Sequence, residues 1–216
     1  RSVNIALVNE LAIMCRRLGL SVWEVIDAAA TKPFGLLPFY PGPGIGGHCI
    51  PVDPYYLSWK ARLAGYEPKF MSFADEINSQ MPAYVVQIAA DALNERGKAL
   101  RGAKILILGV AYKAGVGDTR ESPALEILEL LLAKGAQVAF ADPYIPALSL
   151  NGRQLTAVPW DSVELPSRDL VLILTNHPEF DYEQVVRESV LVVDTRNATG
   201  RVSVPRPNLI TLYGAR

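Results

Sequence analysis

The period of the hydrophobic pattern changes near residue 100, and this change limits the folds open to the chain. Up to about Arg96 the apolar residues recur at helical spacing. Beyond it they form short continuous runs, which are typical of buried parallel strands. The runs are 104–110, 137–141, 170–175 and 191–194. The pattern predicts an α/β protein, with a helical domain at 1–97 followed by a doubly wound, parallel-sheet, Rossmann-like domain at 98–216.

Glycine, proline and capping residues predict where the helices begin and end. Gly19 is placed to close a first helix, and Ser21–Glu24 forms a capping box that opens a second. Asp53-Pro54 predicts the start of a third helix, with Asp as N-cap and Pro at the first helical position. A fourth helix is predicted at 82–97. In the second half, Ser122-Pro123 predicts the helix that follows the first strand.

Composition and charge exclude several classes of function. The chain has 216 residues, a net charge of −1 and 50% hydrophobic residues, so it has no general attraction to nucleic acid or to anionic membranes. No apolar run approaches the roughly 18 residues of a membrane span. Two cysteines, Cys15 and Cys49, are too few for a disulfide framework, which indicates a reducing, cytoplasmic setting.

The segment 41–54 has the composition of a loop that approaches a ligand. Four of the seven residues from 42 to 48 are glycines, and they precede Cys49, with Asp53 four positions later. A cysteine is more often an inert part of the core, and Cys15, on an apolar helical face, has that interpretation. For Cys49 the glycines and the nearby helix start favour a reactive thiol instead, since a helix N-terminus favours the thiolate. Asp53 could both cap the helix and face the thiol.

A second cluster, at 109–123, combines cations, glycines and a helix start. Lys113 and Arg120 supply positive charge, and glycines at 115 and 117 allow close backbone approach. The cluster follows a strand and precedes the Ser122 helix start, where open α/β sheets bind ligands. It therefore predicts a phosphate site, although the G-x-G-x-x-G spacing of dinucleotide sites is absent. Asp142 is interpreted as a turn residue and His177 as a surface-loop residue.

These motifs resemble those of the UDP-glucose/GDP-mannose dehydrogenase family. The string GPGIGGHCIPVD at 42–53 looks like the family's nucleophile loop, and GVAYK-(x)₄-D-x-RESP at 109–123 resembles its C-terminal signature. Residues 1–10 are similar to its long central helix. The string TKPFG at 31–35 looks like the branch that oxidises UDP-N-acetylhexosamines. Together the matches cover essentially the whole chain.

The resemblance implies a four-electron oxidation that uses two NAD⁺ and passes through a cysteine thioester, for polysaccharide precursor synthesis. It makes Cys49 the nucleophile and Asp53 the residue that orients or activates water. The residues that it places in substrate binding are Arg1, Lys32, Gly46, Gly47, Tyr112 and Lys113. It places Arg120 in cofactor binding, and it implies no metal. Lys32 would serve the site of a partner subunit.

Three expectations concern the chain as a whole. Residues 1–18 begin as a helix in mid-course without an initiator Met, so we interpret Arg1 as the cut end of a longer chain. The family's N-terminal NAD-binding domain is absent from the sequence, which predicts that the chain does not turn over alone. The wide apolar face of the 1–18 helix predicts a homodimer.

Two other functions stay open from the residues. One is a non-catalytic module that binds a UDP-sugar without chemistry. The other is an unrelated thiol hydrolase that pairs Cys49 with His48 or His177.

Overall fold

The computed structural model describes residues 1–212, and these form helices followed by a parallel sheet. The helices of the first half are α1 (Ser2–Leu18), α2 (Val22–Ala30), α3 (Cys49–Leu63) and α4 (Lys69–Glu95). The second half contains β1 (Lys104–Leu108), α5 (Pro123–Ala133), β2 (Gln137–Ala141), β3 (Ala147–Leu150), β4 (Arg153–Thr156), β5 (Leu170–Ile173), α6 (Tyr182–Glu188), β6 (Val192–Asp194) and β7 (Leu209–Thr211). None of the helices in the described range is long and apolar enough to cross a membrane.

The main sheet has five parallel strands in the order β2-β1-β5-β6-β7, and β3 and β4 form a separate antiparallel hairpin. Alternate side chains of β1 point to opposite faces. Ile105 and Ile107 belong to a core with α4 and α5, whereas Leu106 and Leu108 belong to a second core with α6. Both faces are therefore covered, as the doubly wound prediction requires. The first core also includes residues of α1 and α2, so it is continuous from the helical half to the sheet.

Several predicted helix boundaries are confirmed by their capping geometry. Gly19 adopts the left-handed conformation with φ 70° and closes α1. The Ser21 side chain accepts a hydrogen bond from the Glu24 N–H at the start of α2. Ser122 caps α5 and Pro123 is its first residue. The four strands predicted from apolar runs are present; the strand at 137–141 has its predicted bounds, and the other three are shorter.

The predicted starts of α3 and α4 are wrong. The helix α3 begins at Cys49, so Asp53 is not its N-cap and Pro54 lies inside it. Pro51 is the proline of the first turn, where the missing N–H has no helical partner in any case. The helix α4 begins at Lys69 and continues through Pro82. Its inward face, which includes Ala74, Met81 and Val85, is buried on both sides of that proline, and this packing outweighs one lost backbone hydrogen bond.

Candidate active site

Cys49 is the first residue of α3, and the glycine-rich loop leads directly into it. Its side chain is exposed, whereas Cys15 is buried in the core as predicted. Gly44 and Gly47 have φ values of 139° and 88°, which side-chain-bearing residues rarely adopt. The loop can therefore follow this path only with glycine at these positions, and the path places the thiol at a helix N-terminus.

The two sequence motifs pack directly against each other. The Gly47 N–H donates to the Arg120 carbonyl oxygen at 3.0 Å. A β-carbon on Gly46 would lie 2.6 Å from Cβ of Tyr112 and 2.8 Å from the carbonyl oxygen of Glu121, so only glycine fits there. On Gly47 it would meet the Tyr112 ring at 3.1 Å. The glycines predicted at the site thus allow the loop bearing the thiol to lie on the cationic loop.

A cavity of about 330 Å³ opens beside the thiol. Three of the predicted site residues, Arg1, Cys49 and Asp53, line it together with Ser2, Ile50, Pro54, Leu57 and Met71. Asp53 lies one helical turn after Cys49, on the same side of α3. Residues that carry a thiol, a carboxylate and a cation therefore border one cavity.

The two cations of the second motif differ in how they are held. Arg120 forms a two-pronged ion pair with Asp118, with the Nη2–Oδ2 distance at 2.7 Å, and the Asp118 carboxylate raises the pKa of Arg120. Lys113 is exposed and takes part in none of the ion pairs found between residues 1 and 212. An anion can therefore bind Lys113 directly, whereas at Arg120 it must share the guanidinium with Asp118.

Lys32 is not brought to this cavity. Its ammonium lies 5.4 Å from the centre of the Phe34 ring, and both residues are exposed. Neither is among the residues that line the cavity at Cys49. Its assignment to the site of a partner subunit stays a prediction.

Sequence reasoning missed a buried pair that organises the cationic loop. His177, predicted as a surface-loop residue, is fully buried, and its Nε2 lies 3.2 Å from Oδ2 of Asp142. The His177 Nδ1 accepts a hydrogen bond from the Gly115 N–H at 3.3 Å. Nε2 therefore carries the ring proton and donates a hydrogen bond to Asp142. The prediction failed because the loop after β5 folds back under the motif 109–123.

Asp142 does more than shape a turn. One carboxylate oxygen accepts from the N–H groups of Val110 and Ala111, and the other accepts from those of Tyr144 and Ile145. Burial alone would raise the pKa of Asp142, but the hydrogen bonds from His177 and the backbone outweigh it and hold that pKa below its ordinary value. Asp142 follows β2, whereas His177 follows β5, the strand on the other side of β1. A search of strand carboxyl ends could have found both residues.

Of the two histidines, only His48 is placed to serve a thiol hydrolase. His177 is occupied by Asp142 and Gly115. His48 is exposed, and its Nδ1 lies 4.0 Å from the Cys49 Sγ. Neighbouring side chains of an extended chain point apart, but the start of α3 brings the His48 ring to 4.0 Å from the thiol.

Two family models match the chain in the order that the motifs predict. The model described as the UDP-glucose/GDP-mannose dehydrogenase family, central domain, matches residues 1–80. The model described as that family's UDP binding domain matches residues 106–201. Between them they include Cys49, Asp53, Lys113 and Arg120.

Similar proteins bear names from the same family. UDP-N-acetyl-D-mannosamine dehydrogenase of Methanococcus maripaludis is 35% identical over 91% of this chain and 45% of its own length. UDP-N-acetyl-D-glucosamine 6-dehydrogenase of Pseudomonas aeruginosa is 40% identical over 68% of this chain and 34% of its own. The solved structure of UDP-D-ManNAc dehydrogenase from Pyrococcus horikoshii superposes with a TM-score of 0.81 at 33% identity, covering 98% of this chain and 48% of that one. The chain thus spans less than half the length of these relatives.

Proposed function

Because the chain belongs to the UDP-glucose/GDP-mannose dehydrogenase family, we propose that it is the part of an NAD-dependent enzyme that binds a UDP-N-acetylhexosamine and oxidises its C6 alcohol to the uronate. The observation that carries the proposal is the contact between the two motifs. Cys49, whose thiol is exposed, is the first residue of α3. The loop that leads into it packs against the loop that carries Lys113 and Arg120. A nucleotide sugar needs this pairing of a reactive group for the sugar with cations for the diphosphate.

The diphosphate would bind the second motif. Lys113 is an exposed ammonium and acts as a point charge for phosphate. The first N–H groups of α5 lie at the end of the same loop and favour an anion. The Gly115 N–H is used by His177, so that pair shapes the loop and does not contact phosphate.

Cys49 would carry the second half of the oxidation. Its thiolate adds to the C6 aldehyde, forming a carbon–sulfur bond in a thiohemiacetal. Loss of a second hydride from C6 and of the hydroxyl proton converts this to a thioester, and water then breaks the carbon–sulfur bond to release the uronate and the thiol. Asp53 faces the same cavity as Cys49 and would orient or activate that water.

The two NAD⁺ would supply the acceptors of the two hydrides. The residues present fit such a cofactor, because the exposed guanidinium of Arg120 is held by Asp118 beside the Cys49 loop and can meet a phosphate there.

Calorimetry with UDP-N-acetylglucosamine, UDP-N-acetylmannosamine and UDP-glucose tests the binding half of the proposal. We expect binding of at least one UDP-sugar, with weaker binding of UDP alone. Turnover is measured on a chimera in which the N-terminal part of the Pyrococcus horikoshii relative precedes Arg1. We expect two NADH per uronate. Absence of UDP-sugar binding to both proteins would contradict the proposal, and binding with no NADH from the chimera would favour the non-catalytic module.

The contact of His48 with Cys49 supports a second candidate, a thiol hydrolase. That reaction needs a base at the thiol, whereas the oxidation proposed above does not use His48 for thioester formation. Changing His48 to Ala separates the two. Uronate formation by the chimera should persist in His48→Ala, whereas a hydrolase activity of Cys49 would be lost.

We expect the protein to act as a homodimer through α1. The face of α1 that packs inward includes Val8, Ala12 and Cys15, whereas the other apolar stripe is exposed. The exposed stripe consists of Val3 (40%), Leu7 (54%), Met14 (47%) and Leu18 (62%). A run of this length at helical spacing fits a second copy of the same helix.

Sedimentation velocity tests the dimer. Leu7→Glu places a charge in the stripe and should shift the protein to the monomer, whereas Lys134→Glu, at an exposed position beyond the end of α5, should not. A wild-type protein that stays monomeric at micromolar concentration would exclude this interface.

A further inference from the structure

A relay of two buried amides connects the Cys49 loop to the first turn of α1. The Gly42 N–H donates to Oδ1 of Asn9 at 2.9 Å, and Nδ2 of Asn9 donates to Oδ1 of Asn78 at 2.9 Å. Nδ2 of Asn78 then donates to the Ser2 carbonyl oxygen at 3.3 Å. Asn9 is fully buried on α1, and Asn78 is nearly so on α4.

The direction of the relay is fixed by its two ends. A backbone N–H can only donate and a carbonyl can only accept, so each amide must present its oxygen toward Gly42 and its nitrogen toward Ser2. Turning either amide over would oppose two donors or two acceptors. Both positions therefore require a group that accepts on one side and donates on the other, and among similar-sized side chains this is asparagine.

One end of the relay lies at the cavity beside the thiol, and the other end lies in the loop that leads to the thiol. Ser2 and its neighbour Arg1 line that cavity with Cys49. Gly42 begins the loop that ends at Cys49, and Nη1 of Arg196 lies so close that a β-carbon on Gly42 would be 2.4 Å from it. Gly42 is thus held between Asn9 and Arg196, and its hydrogen bond leads through two side chains to the backbone beside Arg1.

We propose that Asn9 and Asn78 are positioning residues that fix the position of the Arg1 cation relative to the Cys49 thiol. The inference rests on the proposed function, in which Cys49 reacts with the substrate, and on the family resemblance, which places Arg1 in substrate binding. If the relay is broken, α1 and the loop are still packed through their apolar neighbours. However, the hydrogen-bonded path from the first turn of α1 to the loop is then lost.

The electrostatic potential at the Cys49 thiol can be measured without substrate. Iodoacetate and iodoacetamide alkylate the same thiolate, but only iodoacetate is anionic, so the ratio of their rates reports the local potential independently of the thiolate fraction. Cys15 is buried, and mass spectrometry of the labelled peptide confirms that Cys49 is the residue modified. Arg1→Ala gives the ratio expected when the cation is lost.

We expect Asn9→Ala and Asn78→Ala to lower the ratio of iodoacetate to iodoacetamide rates about twofold, toward the Arg1→Ala value, as for loss of one exposed charge interaction. The double variant should fall no further, because either change already breaks the relay. Asn94→Ala, an exposed asparagine on α4, is the matched control and should keep the wild-type ratio. Val86→Ala, a buried position of α4, controls for loss of stability alone.

An unchanged ratio in folded Asn78→Ala protein would overturn the proposal, as would a drop of equal size in Val86→Ala. If Asn9→Ala does not fold, Asn78→Ala decides alone, because Asn78 borders a cavity into which water can enter. The alkylation needs neither UDP-sugar nor cofactor. Its result therefore stands apart from the calorimetry, and the relay can fail while the proposed function succeeds, or the reverse.

Discussion

Cys49 and Asp142 lie in neighbouring parts of the candidate site, but the protein surrounds them in opposite ways. The Cys49 thiol is exposed and has His48 at 4.0 Å as its only side-chain hydrogen-bonding neighbour within residues 1–212. The Asp142 carboxylate is buried and accepts hydrogen bonds from four backbone N–H groups and from His177. The thiol that is proposed to react therefore keeps room for contacts with a substrate. The carboxylate that shapes the loop 109–123 already has its hydrogen-bond partners within the protein.

Replacing Cys49 by Ser should give the largest change in activity and almost none in stability. A serine hydroxyl is not ionised at neutral pH and does not form the thioester, so we expect the chimera to lose uronate formation. The free energy of unfolding in urea should stay within about 0.5 kcal/mol, because the side chain is exposed. Unchanged uronate formation would reject Cys49 as the nucleophile.

Replacing Asp142 by Ala should give the opposite result, with the largest change in stability. It leaves four backbone N–H groups and His177 without their acceptor in the interior, which we expect to cost about 3–5 kcal/mol in urea unfolding. Asp161→Ala, at an exposed aspartate of the same half, is the control and should change stability by less than about 0.5 kcal/mol. Equal effects of the two changes would show that Asp142 is not the hub of the loop.

The same contrast explains how much could be predicted from the sequence. The strands at 104–110 and 137–141, the Ser122 cap and the Gly19 end depend on local patterns, and the structure confirms them. The glycines next to Cys49 could be recognised as a loop because their backbone freedom is a property of the residues themselves.

What could not be predicted depends on contacts between distant residues. Asp142 and His177 are 35 residues apart, and Asn9 and Asn78 are 69 apart. Local propensity also misplaced the starts of α3 and α4, because Asp53-Pro54 and Pro82 have the form of helix starts while tertiary packing decides where those helices begin.

Replacing Lys113 tests whether the loop 109–123 binds the diphosphate, because Lys113 is the exposed cation of that loop that forms no ion pair within residues 1–212. Lys113→Ala should weaken UDP-sugar binding by roughly 1.5–3 kcal/mol, as for a lost charge-assisted hydrogen bond, and leave the urea midpoint unchanged. Lys134→Ala, an exposed lysine beyond the far end of α5, is the matched control and should bind as the wild type does. Calorimetry measures both. If the two variants bind the UDP-sugar equally well, the diphosphate does not use this loop.

The smallest expected effect is a difference between the two regions in how unfolding free energy depends on pH in acid. The pKa of Asp142 is held below its ordinary value in the folded protein, because its hydrogen bonds outweigh burial. Its ionised form therefore contributes stability that is fully present above the unfolded pKa of about 3.9 and is lost as the pH falls through the lower folded value. The difference in unfolding free energy between the wild type and Asp142→Asn should accordingly stay constant down to about pH 4 and shrink below it. Cys49→Ser, at an exposed side chain, should show no such dependence. If the difference between the wild type and Asp142→Asn already shrinks near pH 6, burial outweighs the hydrogen bonds at Asp142. The protein would then stabilise the Asp142 carboxylate less than its hydrogen bonds imply, and the contrast with the exposed Cys49 thiol would be weaker.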